Sequence, residues 1–243
     1  MFKKIFLFLF FVFISSSVVF SQSDRGVIRN LQNVDLETLH FGFILGLNYS
    51  DYTATPSNFV DENQQIWYPA SNGLNPGFTV GMIVDLRLFE YLNLRFTPSL
   101  GLGQRDLSFS AFNAESNERV EEPIIHNIKS TTVELPLILK YSAKRVGNYR
   151  PYLLAGAGPS VNLARSKVDP ILVKPFDVQA YFGVGCDLYL EYFKFCPELK
   201  FGFGLLDTLE RNHPDMQGTP NQKFIDSISR LSARMLVLTF NFE

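Results

Sequence analysis

Apolar and polar positions alternate one by one along most of this chain. Leu236, Leu238, Phe240 and Phe242 form one row near its end, and Met235, Val237, Thr239 and Asn241 form a smaller or more polar one. Phe41, Phe43, Leu45, Leu47 and Tyr49 likewise oppose Gly42, Gly46, Asn48 and Ser50. Phe78, Val80, Met82, Val84, Leu86 and Leu88 oppose Thr79, Gly81, Asp85 and Arg87. Val133, Leu135, Leu137, Leu139 and Tyr141 oppose Thr132, Glu134, Pro136 and Lys140. A period of two is that of a β-strand whose faces meet different surroundings. The pattern predicts eight strands, at 41–52, 77–88, 92–109, 130–142, 150–163, 178–190, 193–206 and 229–242.

Long connections follow the odd strands and short ones the even strands, as expected for long extracellular loops and short periplasmic turns. The long connections contain Asn72-Gly73, Asn75-Pro76, Asp169-Pro170 and Gly218-Thr219-Pro220, all loop chemistry. Residues 84–103 resemble residues 186–204 once one position is gapped, with Asp85 matching Asp187 and Pro98 matching Pro197, as two similar hairpins on opposite sides of a barrel would. The expected fold is all-β, an eight-stranded antiparallel up-and-down transmembrane β-barrel.

The start of the chain fits that setting. Lys3 and Lys4 precede the apolar run Ile5 to Ile14, and Val19 and Ser21 stand where a signal peptidase reads small residues, so 1–21 reads as a cleaved signal peptide, 22–39 as a periplasmic lead and 40–243 as the barrel domain. The apolar run is too short for a transmembrane helix. Gln22 follows the cut, so lipoprotein acylation is not expected. The formal net charge of −2 and the absence of a basic tract argue against nucleic acid as a partner. Phenylalanine, at 24 of 243 residues, is too abundant to be left in water. Cys186 falls on the apolar face and Cys196 on the polar one, and cross-strand partners share a face, so two free thiols are expected despite the oxidising compartment.

A water-soluble barrel of the lipocalin type alternates too, with its apolar row inside. The charges on the polar rows favour lipid outside: Asp85, Arg87, Arg95, Glu134, Lys140, Asp187, Glu198 and Lys200 would make a poor calyx for an apolar ligand. Phe89, Tyr91, Tyr141, Tyr149, Tyr152, Tyr192, Phe193, Phe240 and Phe242 gather near the short turns as an interfacial girdle would. Inside so narrow a barrel, four acids and four bases make a salt-bridged plug, with a proton or ion path as the sharper alternative. Catalytic chemistry is sparse. His40, His126 and His213 are dispersed, and Ser108 or Ser110 with His126 is the one nucleophile and base pair that can be assembled; no catalytic residue, cofactor site or metal site is assigned. Phe240 and Phe242 are the expected insertion signal for the barrel assembly machinery, with Glu243 dispensable.

The segment Asn30 to Tyr52, NLQNVDLETLHFGFILGLNYSDY, resembles the opening of the PorT (SprT) family of Bacteroidetes outer-membrane barrels. VELPLILKY (Val133 to Tyr141) and RPYLLAGAG (Arg150 to Gly158) resemble the fourth and fifth strands of a broader group of small barrels. The resemblance implies a non-enzymatic integral component of the type IX secretion machinery in the Gram-negative outer membrane. Such a component works with other type IX components and supports gliding in some members. A passive OmpX-like anchor or adhesin, or a lipid-modifying enzyme, are the competing readings.

Overall fold

The computed structural model describes residues 28–61, 63–116, 118–120, 122–164, 171–211 and 222–243. The signal segment 1–21, Asp169-Pro170, His213 and Gly218-Thr219-Pro220 lie outside them. The described residues form β1 (Leu39–Pro56), β2 (Gln65–Ser71), β3 (Asn75–Arg87), β4 (Leu92–Phe96), β5 (Ser99–Asn113), β6 (Ile124–Glu134), β7 (Leu137–Ser142), β8 (Tyr149–Asn162), β9 (Phe176–Tyr189), β10 (Lys194–Gly204) and β11 (Ile228–Phe242). One turn of 3₁₀ helix (Val34–Leu36) precedes them, and a short helix, α1 (Gln222–Asp226), precedes β11.

All pairings are antiparallel. From β1 the ladder passes to β3, then to β4 and β5, then to β7 and β6, then through β8, β9, β10 and β11, and β11 pairs back onto β1 with Leu45 opposite Phe240. β2 and β3 both lie against β5, so they form one strand line interrupted at 72–74. Gly73, at φ +105°, supplies the backbone conformation that this interruption needs. The uninterrupted strands predicted at 92–109 and 130–142 are each broken, at Thr97-Pro98 and at Leu135-Pro136. A proline has no N–H for the ladder. The two breaks lie side by side, with the Thr97 N–H donating to the Pro136 carbonyl at 3.2 Å.

Exposure settles which face is which. On β1, Phe41, Phe43, Leu45 and Leu47 are exposed while His40, Ile44, Asn48 and Ser50 are buried. β7 repeats this, with Leu137, Leu139 and Tyr141 outside and Ile138, Lys140 and Ser142 inside. A soluble barrel with an apolar calyx would show the reverse, so that alternative is discarded. Cys186 and Cys196 are free thiols, one half-buried on the outer face and the other fully buried on the inner one.

Toward the long-loop end the chemistry inverts without any change of pleat. On β5 the inward row runs Gly101, Gly103 and Arg105, then turns apolar at Leu107, Phe109 and Ala111, while the outward row passes from Leu100 and Leu102 to Gln104, Asp106, Ser108 and Ser110. These strands run several residues beyond the predicted boundaries. Their inner faces join Tyr52, Trp67, Ile128, Leu209, Phe224, Ile228 and Leu231 in an apolar core above the polar lumen. Below the inversion, the outward apolar row of β1 spans Phe41 to Tyr49, roughly 20 Å for a strand tilted about 40°, near the roughly 25 Å band of outer-membrane barrels.

Candidate functional site: a charged lumen between two closures

Arg95 is the hub of the lumen. Its guanidinium meets Asp85 at 2.9 Å, Glu198 at 2.5 Å and Glu243 at 2.6 Å, all buried. Glu243 also forms an ion pair with Lys194 at 2.7 Å, and Lys140 holds both oxygens of Asp187 at 2.8 and 2.9 Å. Lys200 reaches Glu198 at 3.4 Å, and the Tyr181 hydroxyl donates to Glu134 at 3.0 Å. In the low-dielectric lumen an unpaired charge is costly, and each of these side chains has a partner of opposite charge or a hydrogen-bond donor.

Of the residues expected on the polar face, Asp85, Arg95, Glu134, Lys140, Asp187, Glu198 and Lys200 are buried there. Arg87 is a correction. It lies where β3 leaves the ring, half-buried, and donates to the Leu36 carbonyl at 3.3 Å. Tyr152 is another, because its ring lies inside the lumen and not in the outer girdle. Lys140 stands 4.1 Å over that ring, and its hydroxyl donates to Glu198 at 2.8 Å. Gly185 makes room for it, since a Cβ there would come within 2.5 Å of the ring. Glu243 and Arg105 also turn inward, as the pattern did not foresee, and Lys194, which parity places on the inner face with Cys196 and Glu198, joins the charge network.

Glu243 overturns an expectation. Its backbone exchanges hydrogen bonds with Lys194 at 3.0 and 2.7 Å, and its side chain closes the Arg95 network, so it is not a dispensable tail. Phe240 and Phe242 are on the outer face as expected. Phe242 stacks on Phe43 at 4.8 Å and Phe240 on Phe195 at 5.9 Å, across both seams of β11.

The proposed nucleophile and base do not meet. Leu107 faces His126 across β5 and β6, which puts the His126 ring inward against Phe224 at 4.9 Å, while Ser108 and Ser110 point outward. Among the described residues no His, Cys, Asp or Glu cluster has the arrangement of a metal site. Among the described residues, small partly open cavities of about 20 Å³ beside Glu134 and Lys200 and beside Arg105 and Asp177 have room for a water molecule.

Both ends are closed. The apolar core described above fills the long-loop end, with the Phe224 ring 5.2 Å from Trp67 and 4.9 Å from Phe109. At the short-turn end residues 28–38 lie across the mouth. Asp35 accepts from the Tyr189 hydroxyl at 2.7 Å and pairs with Arg145 at 3.5 Å and Arg150 at 3.6 Å, while His40 donates to the Val34 carbonyl at 2.6 Å.

An apolar exterior, a charged and filled interior and an all-antiparallel ladder define an outer-membrane β-barrel protein. A family profile described as "Outer membrane protein beta-barrel domain" matches residues 20–210, most of the chain, and the protein belongs to that family. It is embedded in the outer membrane. Its fold is similar to the crystal structure of Neisserial surface protein A (NspA), at 9% identity and a TM-score of 0.44, over 84% of this chain and 98% of that one. No curated protein matches it in sequence.

Proposed function

We propose that this protein is a non-enzymatic component of the type IX secretion machinery. Its eight strands, counting β2 with β3, β4 with β5 and β6 with β7, close into an up-and-down transmembrane barrel with its short turns in the periplasm. The observation that carries the reading is the place of residues 30–38, the start of the segment Asn30 to Tyr52 that resembles the PorT family. They are not a free linker but part of the wall of the short-turn mouth, fixed through Asn30 and Asp35. A barrel whose lumen is filled acts through its surfaces, and the periplasmic mouth is a surface on which other secretion components can dock. No enzymatic step is assigned, because the one nucleophile and base pair lies on opposite faces of the wall. Phe240 and Phe242, stacked across the two seams of β11, serve as the insertion signal read by the barrel assembly machinery.

The test is a clean gene deletion with secretion of cargo bearing the C-terminal sorting domain as readout. Loss of export with the cargo retained in the periplasm is expected, and normal export overturns the proposal. The second reading, a passive outer-membrane anchor, is favoured by the solid apolar core at the long-loop end, which suits a rigid platform. It predicts intact export and altered surface adhesion in the same strain.

A further inference from the structure

The outer face of β11 turns from apolar to polar between Leu236 and Arg234, and its ladder with β1 carries the change across two strands. Tyr49 lies opposite Leu236, Asp51 opposite Arg234, Thr53 opposite Ser232 and Thr55 opposite Arg230. Just beyond the apolar band the two strands thus present two arginines and three small hydroxyl residues to the outside. No acid is exposed among them. Asp51 is fully buried, with Oδ2 accepting from Arg234 Nε at 3.1 Å, from Arg234 Nη2 at 2.6 Å and from the Ser71 hydroxyl. It anchors the Arg234 side chain from beneath and leaves its remaining donors facing out.

Arg230 carries an unmatched charge. It is exposed and has no ion pair among the described residues, and its Nη2 donates to the Leu205 carbonyl at 2.9 Å. That bond draws the guanidinium toward the end of β10, where Phe203, Leu205 and Leu206 are exposed and Phe203 lies opposite Arg234. Arg211, in the connection after β10, is matched by Asp207 at 2.7 Å. Across the barrel the corresponding rim is balanced: Gln104 lies opposite Lys129 and Asp106 opposite Asn127, one charge of each sign. The surplus cation is therefore confined to the β10, β11 and β1 sector, directly above apolar surface that continues the lipid-facing band.

We propose that this sector is a binding site for a phosphorylated lipid of the outer leaflet, lipid A. Its phosphate is held by the guanidinium groups of Arg230 and Arg234 with the hydroxyls of Ser232 and Thr53 beside them, and its acyl chains lie on Phe203, Leu205 and Leu206. The arginine fork suits phosphate oxygens, and an arginine at the edge of a band keeps its head in the polar layer while its stem covers apolar surface. The site rests on the reading that places the long-loop end outside the cell, and it is independent of the type IX role.

The experiment is native mass spectrometry of the full-length protein released from detergent micelles containing diphosphoryl lipid A. The wild type is expected to retain one lipid A molecule, and Arg230→Gln should weaken retention at least tenfold while heat-modifiable gel mobility reports an intact barrel. Asp51→Asn with Arg234→Gln, which removes the ion pair as a unit, should weaken it further in the Arg230→Gln background, and Lys129→Gln on the balanced rim should leave it as it is. Lipid A stripped of phosphate should be lost, and excess inorganic phosphate should not displace the phosphorylated form. A wild type that retains no lipid A overturns the proposal, as does equal retention by Arg230→Gln or of the stripped lipid. Displacement by inorganic phosphate also overturns it, because the site then serves the free ion. Orientation is read separately in intact cells, from reaction of a membrane-impermeant maleimide with a cysteine at position 114, exposed between β5 and β6, in a background with Cys186 and Cys196 replaced by Ala. Reaction supports lipid A as the ligand, and a cysteine shielded until the outer membrane is opened places this end in the periplasm and overturns it, whatever the micelles retain.

Discussion

Between Leu236 and Phe242, β11 turns Leu236, Leu238, Phe240 and Phe242 outward and Thr239 and Asn241 inward; between Ile228 and Arg234 the same pleat turns Arg230, Ser232 and Arg234 outward and Leu231 and Ala233 inward. β1 changes at the matching level. Tyr49 lies opposite Leu236, the last outward apolar pair, and Asp51 lies opposite Arg234, an ion pair of 2.6 Å. One strand geometry thus serves two solvents. Where lipid covers the wall, polar groups go inside and must pair with one another, and where water covers it the ordinary apolar core returns. The Asp51–Arg234 level marks the edge of the band.

The difference between the regions is open to direct attack. The largest effect is expected at the charged interior of the band: Arg95→Met strands Asp85, Glu198 and Glu243 around an apolar side chain and should cost about 3–5 kcal/mol of folding free energy in lipid. Deleting Glu243 should act in the same direction with a smaller loss, because Arg95 keeps two carboxylates. Inside the water-covered region the cost comes from lost apolar contact, and Phe109→Ala should cost about 3–5 kcal/mol, at the lower end because the two aromatic neighbours Trp67 and Phe224 can close on the cavity. On the outside, Leu137→Arg in the band should cost about 2–4 kcal/mol, whereas Ser108→Arg on the outer rim should stay within about 0.5 kcal/mol. Urea titrations of refolding into vesicles measure all five. Equal costs at Leu137 and Ser108 would erase the boundary.

The smallest effect is a pH dependence confined to the outer loops. Burial tends to raise the Asp207 carboxyl, but the N–H groups of Leu231 and Leu209 and the Arg211 guanidinium outweigh it and hold the group below its ordinary value of 3.8. Its contribution is complete above that ordinary value and is lost as the pH falls through the lower folded one. Proteolytic nicking between β10 and β11 should therefore rise in strong acid in the wild type, and Asp207→Asn should nick at that level at every pH.

The band was legible in the sequence because its two rows differ in polarity at each step, as at Phe41 to Ser50. The water-covered extension was not. Once Ser108 and Ser110 face out and Leu107 and Phe109 face in, the row that had been apolar becomes polar, and the signal of a lipid-facing strand ends although the strand goes on. β2 was missed for the same reason, since Trp67 and Pro69 are its inward residues. The breaks at Pro98 and Pro136 had a signal in the missing N–H, one that Pro197 shows is not decisive, because β10 passes it unbroken. The charged face was readable residue by residue, but its pairing was not. Arg95 joins Glu198 across 103 positions, and Asp35 joins Tyr189 across 154, distances at which local patterning carries no information.

Cysteine scanning along the outward row of β11 tests the inversion most directly. Single cysteines at positions 230, 232, 234, 236, 238, 240 and 242, in a background with Cys186 and Cys196 replaced by Ala, would carry nitroxide labels in protein reconstituted into vesicles. Collision with oxygen and with a water-soluble nickel chelate would be read at each site. The account predicts chelate contact at 230, 232 and 234, and its replacement by oxygen contact from 236 to 240, with the crossover between Arg234 and Leu236. Chelate access throughout the row, or oxygen-dominated contact extending to position 230, would contradict it.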